Sequence, residues 1–247
     1  MEQIILILIM VTAGPVAGSL IGVFRKPSQV FLYNMLAFAA GVMLAVSFLE
    51  LIPESIAISS VWLACLGILV GSLAMYGVDR LIPHIHPEMC EQEHGCNIRR
   101  TATFLLLGIF IHNLPEGMAV AAGSVSGFQL SLVIAIAIAV HDIPEGICTS
   151  APYYYCTRRR LKSFLVSSST AIPTIIGFFL AYFLFQNIPG YLIGIITAAT
   201  AGFMVYISAD ELIPVSCRKD EGFSHSTIFS LIAGIIFVII LGSMVPV

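Results

Sequence analysis

The 247-residue sequence is poor in charged side chains. Only 10% of its residues are Asp, Glu, Lys or Arg, whereas 58% are hydrophobic and the mean hydropathy is +1.00. Soluble domains carry about a quarter charged residues, so an ordinary water-soluble globule is excluded. The net charge of −3 provides no basic surface, so nucleic acid is not an expected partner. Six cysteines are too few for a disulfide-stapled scaffold. These exclusions leave an integral membrane protein with lipid around it.

Long apolar runs predict eight transmembrane helices in one domain over residues 1–247. A spanning helix needs about 20 mostly apolar residues, because the hydrocarbon core is roughly 30 Å thick. The runs are continuous rather than alternating, which favours helices over a β-barrel and gives an all-α fold class. The predicted spans are approximately 4–24, 30–57, 61–81, 101–124, 128–150, 161–185, 190–215 and 226–245.

Basic residues are absent from every second loop of this arrangement. With eight alternating helices, all 11 Lys and Arg fall on one side of the membrane, in the loops that follow the first, third, fifth and seventh spans. The positive-inside rule assigns these loops to the cytoplasm and both termini to the extracytoplasmic side. We therefore predict a multi-pass protein of the cell (inner) membrane.

Two short patterns occur twice. Glu-Leu-Ile-Pro at 50–53 in the second span returns at 211–214 in the seventh. His-x-x-Pro-Glu-Gly at 112–117 in the fourth span returns at 141–146 in the fifth. By the predicted topology, each copy runs in the opposite direction to its partner. Inverted repeats around a midplane site are typical of transporters.

The repeated His-x-x-Pro-Glu-Gly motif places polar side chains near the middle of two spans. His112 and Glu116 are four residues apart, as are His141 and Glu145, so each pair shares one helical face. The proline between them cannot donate a backbone hydrogen bond and leaves a carbonyl free one turn earlier. We therefore expect two bent helices that present imidazoles, carboxylates and free backbone oxygen at the same depth.

The cost of buried charge indicates a bound cation. Glu116, Asp142 and Glu145 would together cost about 8–10 kcal/mol if they were ionised and faced lipid. No intramembrane Lys or Arg offers a counter-charge. Two imidazoles, three carboxylates and one amide suit Zn, Fe, Mn, Co or Cd, whereas Mg and Ca prefer oxygen alone.

The paired motifs resemble the signature of the ZIP (Zrt/Irt-like) divalent-metal transporters of prokaryotic type, and the resemblance extends over essentially the whole chain. It implies a 3+2+3 bundle in which the fourth and fifth helices hold the metal between two inverted three-helix units. It also implies alternating access and import. The metal ligands implied by the resemblance are His112, Glu116, His141 and Glu145 at the primary position, Asn113 and Asp142 at an adjoining second position that shares the glutamates, and Met43 as a thioether.

The sixth span departs from the pattern of many bacterial relatives, which carry a Glu just before a proline. The corresponding place here is interpreted as Ile172-Pro173. We therefore expect one well-held ion and a weaker second position.

Further polar groups lie outside the two motifs. Four carboxylates would attract cations on approach and relay them on exit: Glu50, Glu54, Asp210 and Glu211. Carboxylates that are merely hydrated at the membrane interface would show the same sequence pattern. The loop 82–98 is interpreted as a cytoplasmic metal-capture loop, with a plain polar connector as the equal alternative. The His and Cys residues that this loop offers as metal ligands are His84, His86, Cys90, His94 and Cys96.

The leading functional interpretation is a transporter that carries zinc or a similar ion (Fe, Mn, Co or Cd) into the cytoplasm. The metal is its substrate, and no separate cofactor is expected. The alternative is an intramembrane metal-dependent hydrolase, which also needs His and carboxylates. No His-Glu-x-x-His motif is present to favour that enzyme class. The sequence leaves homodimerisation open.

Overall fold

The described structure is helical throughout. The computed structural model describes residues 2–24, 28–81, 113–216 and 224–244, and these residues contain helices and turns but no strand. Seven helices among them are long and apolar enough to cross a membrane, which confirms the prediction of a helical membrane protein. The predicted span 101–124 lies partly outside the described residues, and its described part is a helix over 113–126.

The helices are numbered α1 to α8 along the chain. The single-segment helices are α1 (Glu2–Phe24), α3 (Val61–Leu81), α4 (113–126), α5 (Phe128–Thr157) and α8 (His225–Met244). The helices built from consecutive segments are α2 (Gln29–Ala45, Val46–Leu51 and Ile52–Ile58), α6 (Arg160–Ser168 and Ala171–Phe185) and α7 (Gly190–Ile207, Ser208–Leu212 and Ile213–Ser216).

The middle segments of α2 and α7 are π-helical. The Ile52 N–H donates to the Ser47 carbonyl, and the Ile213 N–H donates to the Ser208 carbonyl, so each bond spans five residues instead of four. In both helices a proline without an N–H follows the isoleucine directly. Each π-helical turn therefore ends next to a proline, where the missing N–H interrupts the regular backbone hydrogen bonds in any case.

Glycines bring α1 against α5, and α4 against α6, at backbone distance. A Cβ atom at Gly18 of α1 would lie 2.2 Å from the Ile143 carbonyl oxygen of α5. A Cβ atom at Gly177 of α6 would lie 2.0 Å from the Leu114 carbonyl oxygen of α4. Any larger residue would push these helices apart, which is why small residues occur at close helix contacts in membranes.

A second pair of glycines packs α2 against α8 and α7 against α3. A Cβ atom at Gly41 would lie 2.1 Å from the Leu231 carbonyl oxygen, and a Cβ atom at Gly202 would lie 2.3 Å from that of Ile68. These glycines lie in two extensive helix contacts, that of α2 with α8 and that of α3 with α7.

The contacts divide the helices into two groups. Helices α1, α4, α5 and α6 form the group that we call the α4/α5 bundle, in which α1 contacts both α5 and α6. Helices α2, α3, α7 and α8 form the α2/α7 bundle, in which α2 and α7 also contact each other. The two bundles meet where α2 and α8 pack against α5.

Candidate metal centre

Four ligand-type side chains of α4 and α5 meet inside the α4/α5 bundle. Glu116 comes from α4, and His141, Asp142 and Glu145 come from a single turn of α5. One ligand atom from each residue lies within 4.8 Å of all the others, and no side chain of the four is more than 5% exposed. We call these four residues the acidic cluster.

His141 is held in an orientation that suits a metal ligand. Its Nδ1 atom lies 3.2 Å from the Ala137 carbonyl oxygen, which can only accept, so Nδ1 carries a proton. Its Nε2 atom faces Glu116 Oε1 at 2.8 Å and Asp142 Oδ1 at 3.2 Å. In a neutral imidazole this Nε2 atom carries a lone pair, and a lone pair facing two carboxylates needs a cation between them. A proton or a metal ion supplies that positive charge.

The Lys and Arg side chains in the described part of the chain lie at its surface, whereas the acidic cluster is buried. Every Lys and Arg among the described residues is exposed: Arg80, Arg158, Arg159, Arg160 and Lys162. Buried carboxylates are stable only when they are paired, protonated or bound to a cation. The cluster therefore has the charge and the ligand chemistry of a site for a divalent cation.

The α4 face that carries the cluster also contacts α6 through Asn113 and Gly117. Asn113 Nδ2 donates to the Thr170 carbonyl at 2.8 Å, while its buried Oδ1 has no hydrogen-bond partner among the described residues. One turn along α6, the Thr174 carbonyl oxygen lies 1.9 Å from where a Cβ on Gly117 would be. Thr174 is fully buried, and its hydroxyl likewise has no partner in the described part of the chain.

The Thr174 backbone therefore contacts α4, whereas the Ile172 side chain is 49% exposed. Sequence reasoning considered the Ile172-Pro173 position, whose part in a metal site stays a prediction, and did not consider Thr174. The available signal was the pair of hydroxyl residues Thr170 and Thr174, spaced four apart in an otherwise apolar helix.

The other predicted site residues lie elsewhere. Met43 is fully buried in α2, a helix that packs against α5. Glu50 and Glu54 are half-buried in α2, and Glu54 Oε1 accepts a hydrogen bond from Ser126 at the end of α4. In α7, Asp210 is exposed and Glu211 is half-buried. The predicted residues outside the described part of the chain are His112, His84, His86, Cys90, His94 and Cys96.

A family model described as "ZIP Zinc transporter" matches residues 83–242, which include both His-x-x-Pro-Glu-Gly motifs. The chain belongs to the ZIP zinc transporter family. The zinc transporter ZupT of Escherichia fergusonii is 34% identical over 217 residues, which cover 83% of this chain and 84% of that protein. ZupT proteins of Escherichia coli O1:K1 / APEC and of strain K12 / DH10B are 35% identical over 225 residues, or 87% of each chain.

ZIP membership confirms the resemblance found in the paired motifs. Together with the seven apolar helices, it makes this chain a divalent-metal transporter and a multi-pass protein of the cell membrane. The matched ZIP proteins are transporters by name, so the hydrolase alternative is set aside.

Proposed function

We propose that this ZIP protein moves Zn²⁺, or a similar divalent transition ion, into the cytoplasm by alternating access through the acidic cluster. The observation that carries the proposal is the burial of one imidazole and three carboxylates within ligand distance of one another. Mixed nitrogen and oxygen ligands suit borderline ions such as Zn²⁺ better than Mg²⁺ or Ca²⁺. Similarity to proteins named as zinc transporters supports zinc as the substrate.

The proposed ligand set has a primary and a weaker second position. Residues proposed for the primary position are His112, Glu116, His141 and Glu145, with Met43 as a thioether from α2. The second position would use Asn113 and Asp142 and would share the two glutamates. The buried, unpartnered Oδ1 of Asn113 supports a ligand role there. Ile172, which is interpreted as standing where many bacterial relatives carry a Glu, would leave this second position with a weaker affinity.

The proposed fold is one domain of eight spans built as an inverted 3+2+3 repeat with both termini extracytoplasmic. The glycine contacts support this repeat. Leu114 and Ile143 occupy the same position in the two His-x-x-Pro-Glu-Gly motifs, and the carbonyl of each is in close contact with a glycine of a neighbouring helix. Gly41 and Gly202 each stand nine residues before the Glu of a Glu-Leu-Ile-Pro copy, and each contacts a carbonyl of a neighbouring helix. Corresponding helices of the two halves would cross the membrane in opposite directions.

Alternating access would arise from movement of the α4/α5 bundle, which carries the acidic cluster, past the α2/α7 bundle. Small buried residues on α2, including Ala37 and Ala40, leave a smooth surface for such sliding. In this scheme Glu50 and Glu54 attract the ion on approach, and Asp210 and Glu211 relay it on exit. The loop 82–98 would capture the ion in the cytoplasm.

Proton exchange at His141 would allow the bound ion to leave. A metal at Nε2 and a proton at Nε2 are alternatives, because both neutralise the same pair of facing carboxylates. Metal binding would therefore release protons and release of the metal would take them up, so transport depends on pH.

The test is Zn²⁺ uptake into proteoliposomes that contain the purified protein. We expect Glu145→Ala to lower uptake by about tenfold or more, because it removes a buried ligand. Gln129→Ala, on an exposed position of the same helix, is the matched control and should leave uptake unchanged. Wild-type vesicles that take up no metal, or Glu145→Ala vesicles that match the control, would contradict the proposal.

A further inference from the structure

The repeat that links α2 and α7 is longer than Glu-Leu-Ile-Pro. The pattern Ala-Gly-x-Met-x-x-x-Ser-x-x-Glu-Leu-Ile-Pro occupies residues 40–53 in α2 and returns without change at residues 201–214 in α7. Both copies contain the π-helical turn described above. The two helices therefore share eight identical residues of fourteen over this stretch, and each contains a π-helical segment.

A methionine stands at the same place in each copy. The Ser47 hydroxyl donates to the Met43 carbonyl at 2.8 Å, and the Ser208 hydroxyl donates to the Met204 carbonyl at the same distance. Met43 thus stands three residues before the π-helical segment of α2, and Met204 four residues before that of α7, with the same hydrogen bond at each carbonyl. Gly41 and Gly202, two residues earlier, both make the backbone contacts described above.

Both methionine side chains are fully buried. Met43 and Met204 have no exposed surface, and both belong to the continuous apolar core that includes Ala119 of α4 and Ile138 of α5. These two core residues come from the helices that carry the acidic cluster. A buried thioether in such a place has either a packing role alone or a ligand role as well.

We propose that Met204 is a second thioether ligand, which binds the ion when the site faces the side of the membrane opposite to the state in which Met43 binds it. This inference rests on the proposed function. In an inverted repeat the two halves exchange conformations during alternating access. Met43 would therefore reach the ion when the site faces one side of the membrane, and Met204 would reach it when the site faces the other side. A neutral thioether binds soft and borderline ions without adding charge, so it would guide the ion without trapping it.

The experiment measures the competition of Cd²⁺ with Zn²⁺ flux in proteoliposomes, for uptake and for efflux separately. Cd²⁺ is a soft ion and reports on the thioether. We expect Met204→Leu to raise the half-inhibiting Cd²⁺ concentration by about three- to tenfold in one flux direction, and Met43→Leu to do so in the other direction. The exchange of Met for Leu conserves volume, so the fold is retained.

Two further variants separate ligand binding from packing. Met75→Leu changes another buried methionine of the α2/α7 bundle that lies outside the repeat, and it should leave both directions unchanged. Met204→Cys keeps a sulfur donor and should keep the Cd²⁺ sensitivity of the wild type.

The inference is overturned if Met204→Leu behaves like Met75→Leu, or if it acts in the same direction as Met43→Leu. Failure of the proposed function gives a different result, because wild-type vesicles would then carry no Zn²⁺ in either direction.

Discussion

Hydrogen bonds between hydroxyl side chains connect α1, α5 and α6 within the α4/α5 bundle. Ser19 of α1 donates to Ser167 of α6 at 2.7 Å, and the Ser167 hydroxyl also contacts the Thr149 hydroxyl and the Gly146 carbonyl of α5. All three hydroxyl residues are buried. Sequence reasoning did not predict this cluster, because a Ser or Thr in an apolar helix can equally bond its own backbone. Only the packing of three helices decides which partner it has.

Removal of the central hydroxyl should loosen the bundle. We expect Ser167→Ala to lower the free energy of unfolding by about 0.6–1.7 kcal/mol, the range for hydrogen bonds between membrane helices. Titration with a denaturing detergent measures the change. Ser243→Ala, on an exposed position that bonds its own helix, is the control. Equal stabilities of the two variants would show that the cluster adds nothing to helix association.

The bounds of α3 could be predicted from the sequence, whereas the end of α5 at Thr157, beyond the predicted 128–150, and the backbone form and pairing of the helices could not. The start and end of α3 follow from its apolar run, because bilayer thickness dictates how long such a run must be. The π-helical turns of α2 and α7 leave that pattern unchanged, since hydropathy does not record the spacing of backbone bonds. Likewise, the four-residue spacing in the motif indicated that His141 and Glu145 share a face, but the approach of Thr174 depends on how α6 packs.

Glycine at a helix contact should be irreplaceable, while glycine facing open space should be dispensable. We expect Gly177→Ala to lower the free energy of unfolding by about 1–3 kcal/mol, because its Cβ would overlap the Leu114 carbonyl. Gly77 in α3 has no atom within 4 Å of its Cβ position, so Gly77→Ala should raise stability by about 0.5–1 kcal/mol. Detergent unfolding of both variants checks this, and destabilisation of equal size would contradict it.

At the scale of the whole molecule, the described helices form two bundles, which meet where α2 and α8 pack against α5 and where α4 is hydrogen-bonded to α2. Each proposed three-helix unit contributes one helix to the α4/α5 bundle and two to the α2/α7 bundle. Contacts inside each bundle use backbone and hydroxyl groups that allow little adjustment. Between the bundles, the hydrogen bond from Ser126 to Glu54 joins α4 to α2 near their ends.

Covalent linkage of the two bundles should therefore stop transport. We expect Glu54→Cys with Ser126→Cys, joined by a short bifunctional thiol reagent, to lose Zn²⁺ uptake. Asn34→Cys with Ser226→Cys joins α2 to α8 within one bundle, at a position where the two side chains are hydrogen-bonded, and should keep it. Each single Cys variant treated with the same reagent controls for loss of the side chain. Full uptake after linkage at 54 and 126 would exclude movement between the bundles.

In the proposed inverted repeat, the glycine contacts would explain why only short stretches of the two halves are alike in sequence. At each contact the partner supplies a carbonyl oxygen, which every amino acid carries, so Leu231 and Ile68 could be exchanged for other residues without altering the approach of Gly41 and Gly202. Selection acting through these contacts would keep the glycine unchanged, whereas the residue that supplies the carbonyl could be replaced. Two copies related by the proposed repeat would thus diverge widely in composition while preserving a common architecture.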